Sequence, residues 1–277
     1  MIITVVGLGV VGGSYVKALK GKGYDVYGVD TDINTLNQVK KEGYIIDGFT
    51  NGNDICYKSD LTIICLYPSV VLDFIKNTQF KKGSIVSDAV GVKSFFLDKA
   101  LSLIDEDVEY ISCHPMAGRE SKGWAYADGE VFKGSNFIII QHASNKQEKI
   151  QFMQEFAEDL GFKSVKILSP YDHDEIISFT SQLPHTLAIS LITSDTQKYE
   201  TGKYIGDSYR DLTRIADINE DLWCELFISN KQFLLQSMNG FEEKFNVLKQ
   251  AIINEDKETL KEIFKEAGHR RRNLEKR

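Results

Sequence analysis

Cysteine is scarce in this chain, and the little there is has no pattern. Cys56, Cys65, Cys113 and Cys224 are scattered without a Cys-x-x-Cys pair, so neither a disulfide framework nor a zinc site is expected. A reducing cytoplasm suits such a chain. Long apolar runs are missing too: none approaches the roughly 20 residues that span a bilayer. The start, Met1-Ile2-Ile3-Thr4-Val5-Val6, runs into glycines with no basic segment before it, and reads as a first strand rather than a signal peptide. Positive charge is also in deficit, with a net charge of -7. A nucleic-acid binder needs a basic face to neutralise phosphates, so no such partner is expected. The one basic cluster, His269-Arg270-Arg271-Arg272 with Lys276 and Arg277, reads as a solvated helix end, where cations suit the helix dipole.

What remains is the composition of an ordinary soluble globular protein, 42% hydrophobic and 26% charged. At 277 residues it is longer than one compact core usually supports, which predicts two domains. Short apolar runs at 2–6, 25–29, 61–66, 84–87, 109–113, 136–140 and 164–168 read as strands. Amphipathic stretches at 13–20, 33–42, 70–77 and 92–104 separate several of them. That alternation predicts a mostly parallel sheet covered on both faces. Beyond Ser169-Pro170 the pattern turns helical, over 171–199, 222–253 with a break at Asn239-Gly240, and 257–267. Trp223, Leu226, Phe227, Phe233, Leu234, Met238, Phe241 and Phe245 form a wide apolar surface there, suited in part to a dimer interface.

Gly7-Leu8-Gly9-Val10-Val11-Gly12 follows the first strand and opens the first helix. The first glycine allows a tight turn, the second lets backbone approach a pyrophosphate, and the third lets helix and strand pack closely. The next strand ends in Asp30, about 20 residues on, where a carboxylate accepts from an adenosine ribose and repels a 2′-phosphate. The expected cofactor is therefore NAD. Thr31, Leu66-Tyr67-Pro68 and Ala89 are expected beside it, at the carboxyl ends of strands. The expected architecture is an α/β Rossmann-type dinucleotide-binding domain over 1–168, then an all-α substrate and dimerisation domain over 169–277.

Of the five histidines, His114 stands out. It ends a predicted strand before Pro115, in the zone where open parallel sheets bind ligands, and histidine titrates in the range a general base needs. His185 follows Pro184 inside a predicted helix, where proline kinks occur both in plain cores and beside ligands. Arg210 and Arg214 share a predicted helix face with Asp211; a solvated ion-pair face and a carboxylate clamp both fit. His142, His173 and His269 occupy a strand exit, a helix N-terminus and a tail, and offer less.

Three segments then carry a resemblance. His114-Pro115-Met116-Ala117-Gly118-Arg119-Glu120 with Gly123, Ser181-Gln182-Leu183-Pro184-His185, and Arg210-Asp211-Leu212-Thr213-Arg214-Ile215-Ala216 with Trp223 and Asn230 resemble, in order, the signatures of prephenate dehydrogenases. The resemblance implies NAD-dependent oxidative decarboxylation of prephenate to 4-hydroxyphenylpyruvate in tyrosine biosynthesis, with no metal. It implies that His114 accepts the ring hydroxyl proton and that Arg214 binds a substrate carboxylate. His185, Ser181 and Gln182 are placed in the substrate pocket, and Glu120 and Asp211 in an ionic network with Arg214. One departure stands out: Gly91 occupies the position where the family often has a serine touching the catalytic histidine. The implied assembly is an unfused homodimer through the helical domain, with any tyrosine inhibition competitive. Arogenate dehydrogenase shares these motifs and is the nearest alternative. A β-hydroxyacid dehydrogenase, which relies on a lysine, and a non-catalytic NAD-binding regulator fit them less well.

Overall fold

The computed structural model describes residues 1–118 and 121–274. Six parallel strands form the main sheet in the order β3-β2-β1-β4-β5-β6: β1 Ile2–Val6, β2 Asp25–Val29, β3 Asp47–Phe49, β4 Leu61–Ile64, β5 Ile85–Asp88 and β6 Glu109–Tyr110. Helices α1 Val10–Leu19, α2 Ile33–Lys41, α3 Pro68–Lys76 and α4 Leu97–Leu103 lie between them in sequence. Successive strand residues point to opposite faces. Ile3, Val5 and Ile63 therefore enter one core while Val6 and Ile64 enter the other. The strand order reverses between β1 and β4, paired from Ile3↔Leu61 to Val6↔Ile64, which opens a crevice beyond their carboxyl ends.

A second sheet, not anticipated from the sequence, corrects the expected strand over 109–113. Its order is β7-β8-β9: β7 Ser112–Pro115, β8 Asn136–Ile140 and β9 Ser164–Leu168, with β7 antiparallel and β9 parallel to β8. The chain leaves the main sheet after Tyr110 and pairs His114 with Ile138 and Pro115 with Phe137. Proline donates no ladder hydrogen bond, so it is tolerated on the edge strand β7. His114 thus lies within a strand of this sheet, not beyond the end of a parallel one. Helix α5 Gln147–Asp159, also unanticipated, buries Ile150, Met153, Phe156 and Ala157 and links β8 to β9.

The remaining helices are α6 Pro170–Ile177, α7 Leu183–Thr193, α8 Asp207–Thr213, α9 Glu220–Ser229, α10 Lys231–Ile253 and α11 Lys257–Leu274. The expected helix over 171–199 is broken by a π turn, Ser178–Gln182, placed just before Pro184, which has no N–H to give the preceding turn. The expected break at Asn239-Gly240 is absent, since both lie inside α10. It falls at Asn230, whose buried side chain donates to the Asp174 carbonyl instead of facing solvent. The helix expected over 92–104 starts only at Leu97, because the Lys93 and Ser94 N–H groups are drawn to the Asp174 carboxylate.

Two compact units result, Met1–Asn230 and Lys231–Arg277. In the second, Phe245, Val247, Ile252, Ile253 and Phe264 are each more than half exposed. No helix among the described residues is long and apolar enough to cross a membrane.

Candidate active site

The glycine turn is built for close backbone approach. Gly7 has φ +81°, and a Cβ there would meet the Cys65 carbonyl at 2.6 Å. At Gly12 a Cβ would lie 1.9 Å from the Gly7 carbonyl oxygen, so only glycine lets α1 start against β1. A Cβ at Gly9 would meet nothing within 4 Å, which leaves the outer side of the turn open. No side chain caps α1 and its first turn has no acidic residue. The first N–H groups of Val10, Val11 and Gly12 are thus available to an anion, as a pyrophosphate requires. Asp30 follows β2 and accepts from Leu8 N at 2.7 Å and from Asp32 N at 2.9 Å. Its carboxylate keeps lone pairs for a ribose while tethering the turn. The helix cap falls to Asp32, while Thr31 is exposed.

Strand β4 stops at Ile64, two residues short of expectation, because Pro68 opens α3 and the chain must turn. Leu66 still packs under Gly7, and the Ala89 N–H donates to Ile64 at 3.0 Å. Tyr67 is partly exposed and its hydroxyl accepts from Asn219, the N-cap of α9.

His114 is half-buried and its Nδ1 lies 2.9 Å from His173 Nε2. His173, on α6, is fully buried, with Nδ1 2.7 Å from Asp174 Oδ1. Asp174 also accepts from Lys93 N at 2.8 Å and Ser94 N at 2.7 Å. Among the described residues the other ring nitrogen of His114 makes no hydrogen bond. Burial, then the neighbouring His173 and Lys93, hold the His114 imidazole well below its ordinary pKa. It is therefore neutral near pH 7, as a base must be. Burial likewise pushes the Cys113 thiol up to about 12, so it remains protonated.

Behind His114 sits a closed polar hub. The buried Lys93 ammonium donates to Asp88 Oδ1 at 2.8 Å and to the Cys113 carbonyl at 2.6 Å. Asp88 accepts in turn from Tyr110 OH at 2.8 Å and Val90 N at 2.9 Å. The hub joins the end of β5 to the residue before His114. Lys93, Asp88, His173 and Asp174 were not singled out in the sequence. A lysine reads as surface even between Val92 and Phe95-Phe96, and His173 reads as an ordinary helix start.

Helix α9 forms the opposite wall. Trp223 lies against His185, with ring centroids 3.7 Å apart, and Leu226 faces Gly91. A Cβ at Gly91 would sit 3.4 Å from Leu226 Cδ2 and 3.8 Å from His114 Cε1, ordinary contact distances. Gly91 therefore borders the catalytic candidate without being forced to be glycine by space. Ser181 offers its carbonyl to His185 Nδ1 at 2.9 Å, which puts a proton on that nitrogen. Gln182 is buried and engages Leu226 O and Asn230, so its amide braces α9. The 3₁₀ turn Arg214–Ala216 packs against α7, which brings Arg214 to the His185 helix. Arg214 lies at the end of α8 rather than on one helix face with Arg210, which pairs instead with Asp207. Asp211 is exposed on α8. Glu120 and Arg119 fall outside the described residues.

Known proteins share this fold. The family described as "Prephenate dehydrogenase, nucleotide-binding domain" matches residues 15–166, and "Prephenate dehydrogenase, dimerization domain" matches residues 169–266. The chain is 26% identical to a prephenate dehydrogenase of Lactococcus lactis subsp. cremoris over 99% of its own length and 77% of that protein. It is 25% identical to a cyclohexadienyl dehydrogenase of Zymomonas mobilis, covering 96% and 93% of the two chains. Among solved structures, prephenate dehydrogenase from Aquifex aeolicus in complex with hydroxyphenyl propionate and NAD+ superposes with a TM-score of 0.90 at 26% identity, over 99% of this chain and 98% of that one. With both domains matched along most of its length, this chain belongs to the prephenate dehydrogenase family.

Proposed function

We propose that this chain, an NAD-dependent oxidoreductase of that family, oxidatively decarboxylates prephenate to 4-hydroxyphenylpyruvate. The observation that carries the reading is His114, neutral, half-buried and bordered by Gly91, with one ring nitrogen engaged and the other not hydrogen-bonded by any described residue. The open glycine turn and Asp30 fit the dinucleotide. When bound, NAD supplies the hydride acceptor. His114 Nε2 takes the ring hydroxyl proton as hydride leaves the same carbon. The ring carboxylate departs as carbon dioxide, its bonding pair completes the aromatic ring, and the proton held on His114 returns to the ring oxygen to give the phenol. Arg214 holds the substrate carboxylate through its guanidinium fork, with His185 beside it. Asp211 belongs to the ionic surroundings of Arg214 in this reading. The cytoplasm, a homodimer through the exposed apolar helices and a role in tyrosine synthesis belong to the same proposal.

The test is NADH production with prephenate and arogenate side by side, in NAD and then NADP. The expected result is a higher kcat/KM for prephenate and for NAD. Preference for arogenate would replace the substrate while leaving the machinery. Arg214→Ala is expected to raise KM for prephenate roughly 10- to 100-fold with a smaller change in kcat, as loss of a charge-assisted contact would. Steady-state kinetics over a prephenate series measures this.

A further inference from the structure

We propose that His173 and Asp174 form a proton-ordering relay that holds His114 with Nδ1 protonated and Nε2 bare. The inference rests on His114 acting as the base. Its logic is that of donors and acceptors. Asp174 receives two backbone N–H groups, Lys93 on Oδ1 and Ser94 on Oδ2, so its carboxylate is an acceptor on both oxygens. His173 Nδ1, 2.7 Å from Oδ1, must therefore donate. A neutral imidazole has one donor and one acceptor, which leaves His173 Nε2 as acceptor. His114 Nδ1, 2.9 Å away, must then donate, and the lone pair of His114 lies on Nε2. That is the tautomer a base requires.

The surroundings favour this arrangement over a charged ring. Burial pushes Asp174 up, but the hydrogen bonds from His173, Ser94 and Lys93 outweigh it and hold the carboxyl below its usual range. Burial lowers His173, and the Lys93 ammonium lowers it further, while Asp174 and, from β5, Asp88 oppose. His114 faces the same Lys93 ammonium and His173. Both rings are thus neutral at rest, and the pair of protons can be placed in one sense only. His173 and Asp174 touch no reacting atom in this scheme; they are positioning residues.

The decisive measurement is the ¹⁵N NMR spectrum of the histidines in the full-length wild-type protein, which needs no variant to fold. His114 and His173 are both expected protonated on Nδ1 and bare on Nε2 near pH 7.5. A His114 protonated on Nε2 overturns the relay. In Asp174→Asn the amide can donate to His173 Nδ1, which reverses both tautomers. Its kcat is expected to fall about 10²- to 10⁴-fold with KM for prephenate changed less than about 3-fold. His173→Gln keeps an acceptor for His114 Nδ1 and should retain kcat within about 10-fold, whereas His173→Leu should lose about 10²-fold or more. Equal kcat in these two variants defeats the proposal, because a packing role alone would not distinguish them by their acceptor. If the wild-type tautomer is as expected but prephenate is not oxidised, the relay stands and the proposed reaction falls.

Discussion

Replacing His114 by asparagine should lower kcat about 10²- to 10⁴-fold while leaving KM for prephenate nearly unchanged. Asparagine keeps a polar group near His173 but has no lone pair basic enough to take a hydroxyl proton at neutral pH. The loss is therefore confined to the transition state, where the proton moves. The wild-type pH profile should carry the same signature. Because burial holds the His114 imidazole well below 6.5, the base stays unprotonated as pH falls through that value. kcat/KM should hold through pH 6.5 and decline only at lower pH, with the acid limb absent from the His114→Asn variant. A large rise in KM with kcat intact would show instead that His114 only binds substrate.

Lys93→Met should cost roughly 3–5 kcal/mol of folding stability, the penalty of breaking a buried ion pair from one side. Both Lys93 and Asp88 are almost wholly buried, and methionine leaves the carboxylate with Tyr110 OH and Val90 N but no counter-charge. The Cys113 carbonyl loses its donor at the same time. Each kcal/mol shifts Tm by about 2–4 °C in a unit of this size, so a drop of about 10 °C is expected in a thermal melt. Adding Asp88→Asn to Lys93→Met removes the stranded charge and should recover part of the loss. A single variant as stable as the wild type would mean that the hub does not hold β5 to β7.

The legible parts of this protein are those whose physics is local. Strands β1, β2, β8 and β9 match their expected spans because short β-branched runs between turn residues have few other uses. The glycine turn was readable because positive φ and close backbone approach leave one residue type. Pairing partners were not readable. Nothing between Glu109 and Pro115 says that the chain changes sheets after Tyr110, since alternation marks a strand and not its neighbour. His173 stayed hidden for a related reason. It lies 59 residues from His114 and acquires its role only when α6 is brought beside β7. Gln182, expected to face the substrate, turns instead to Leu226 and Asn230, a choice set by where α9 lies rather than by the motif that contains it.

Asp30 answers to two masters. The oxygens that we propose select a ribose over its 2′-phosphate also hold the Leu8 and Asp32 amides, so on that reading cofactor choice and the shape of the turn share one side chain. An engineer who neutralises Asp30 to admit NADP removes the acceptor that anchors Leu8 as well as the repulsion. Cofactor preference in this chain is thus not a free dial: a route toward NADP must bring a new anchor for the Leu8 amide along with a cation for the extra phosphate.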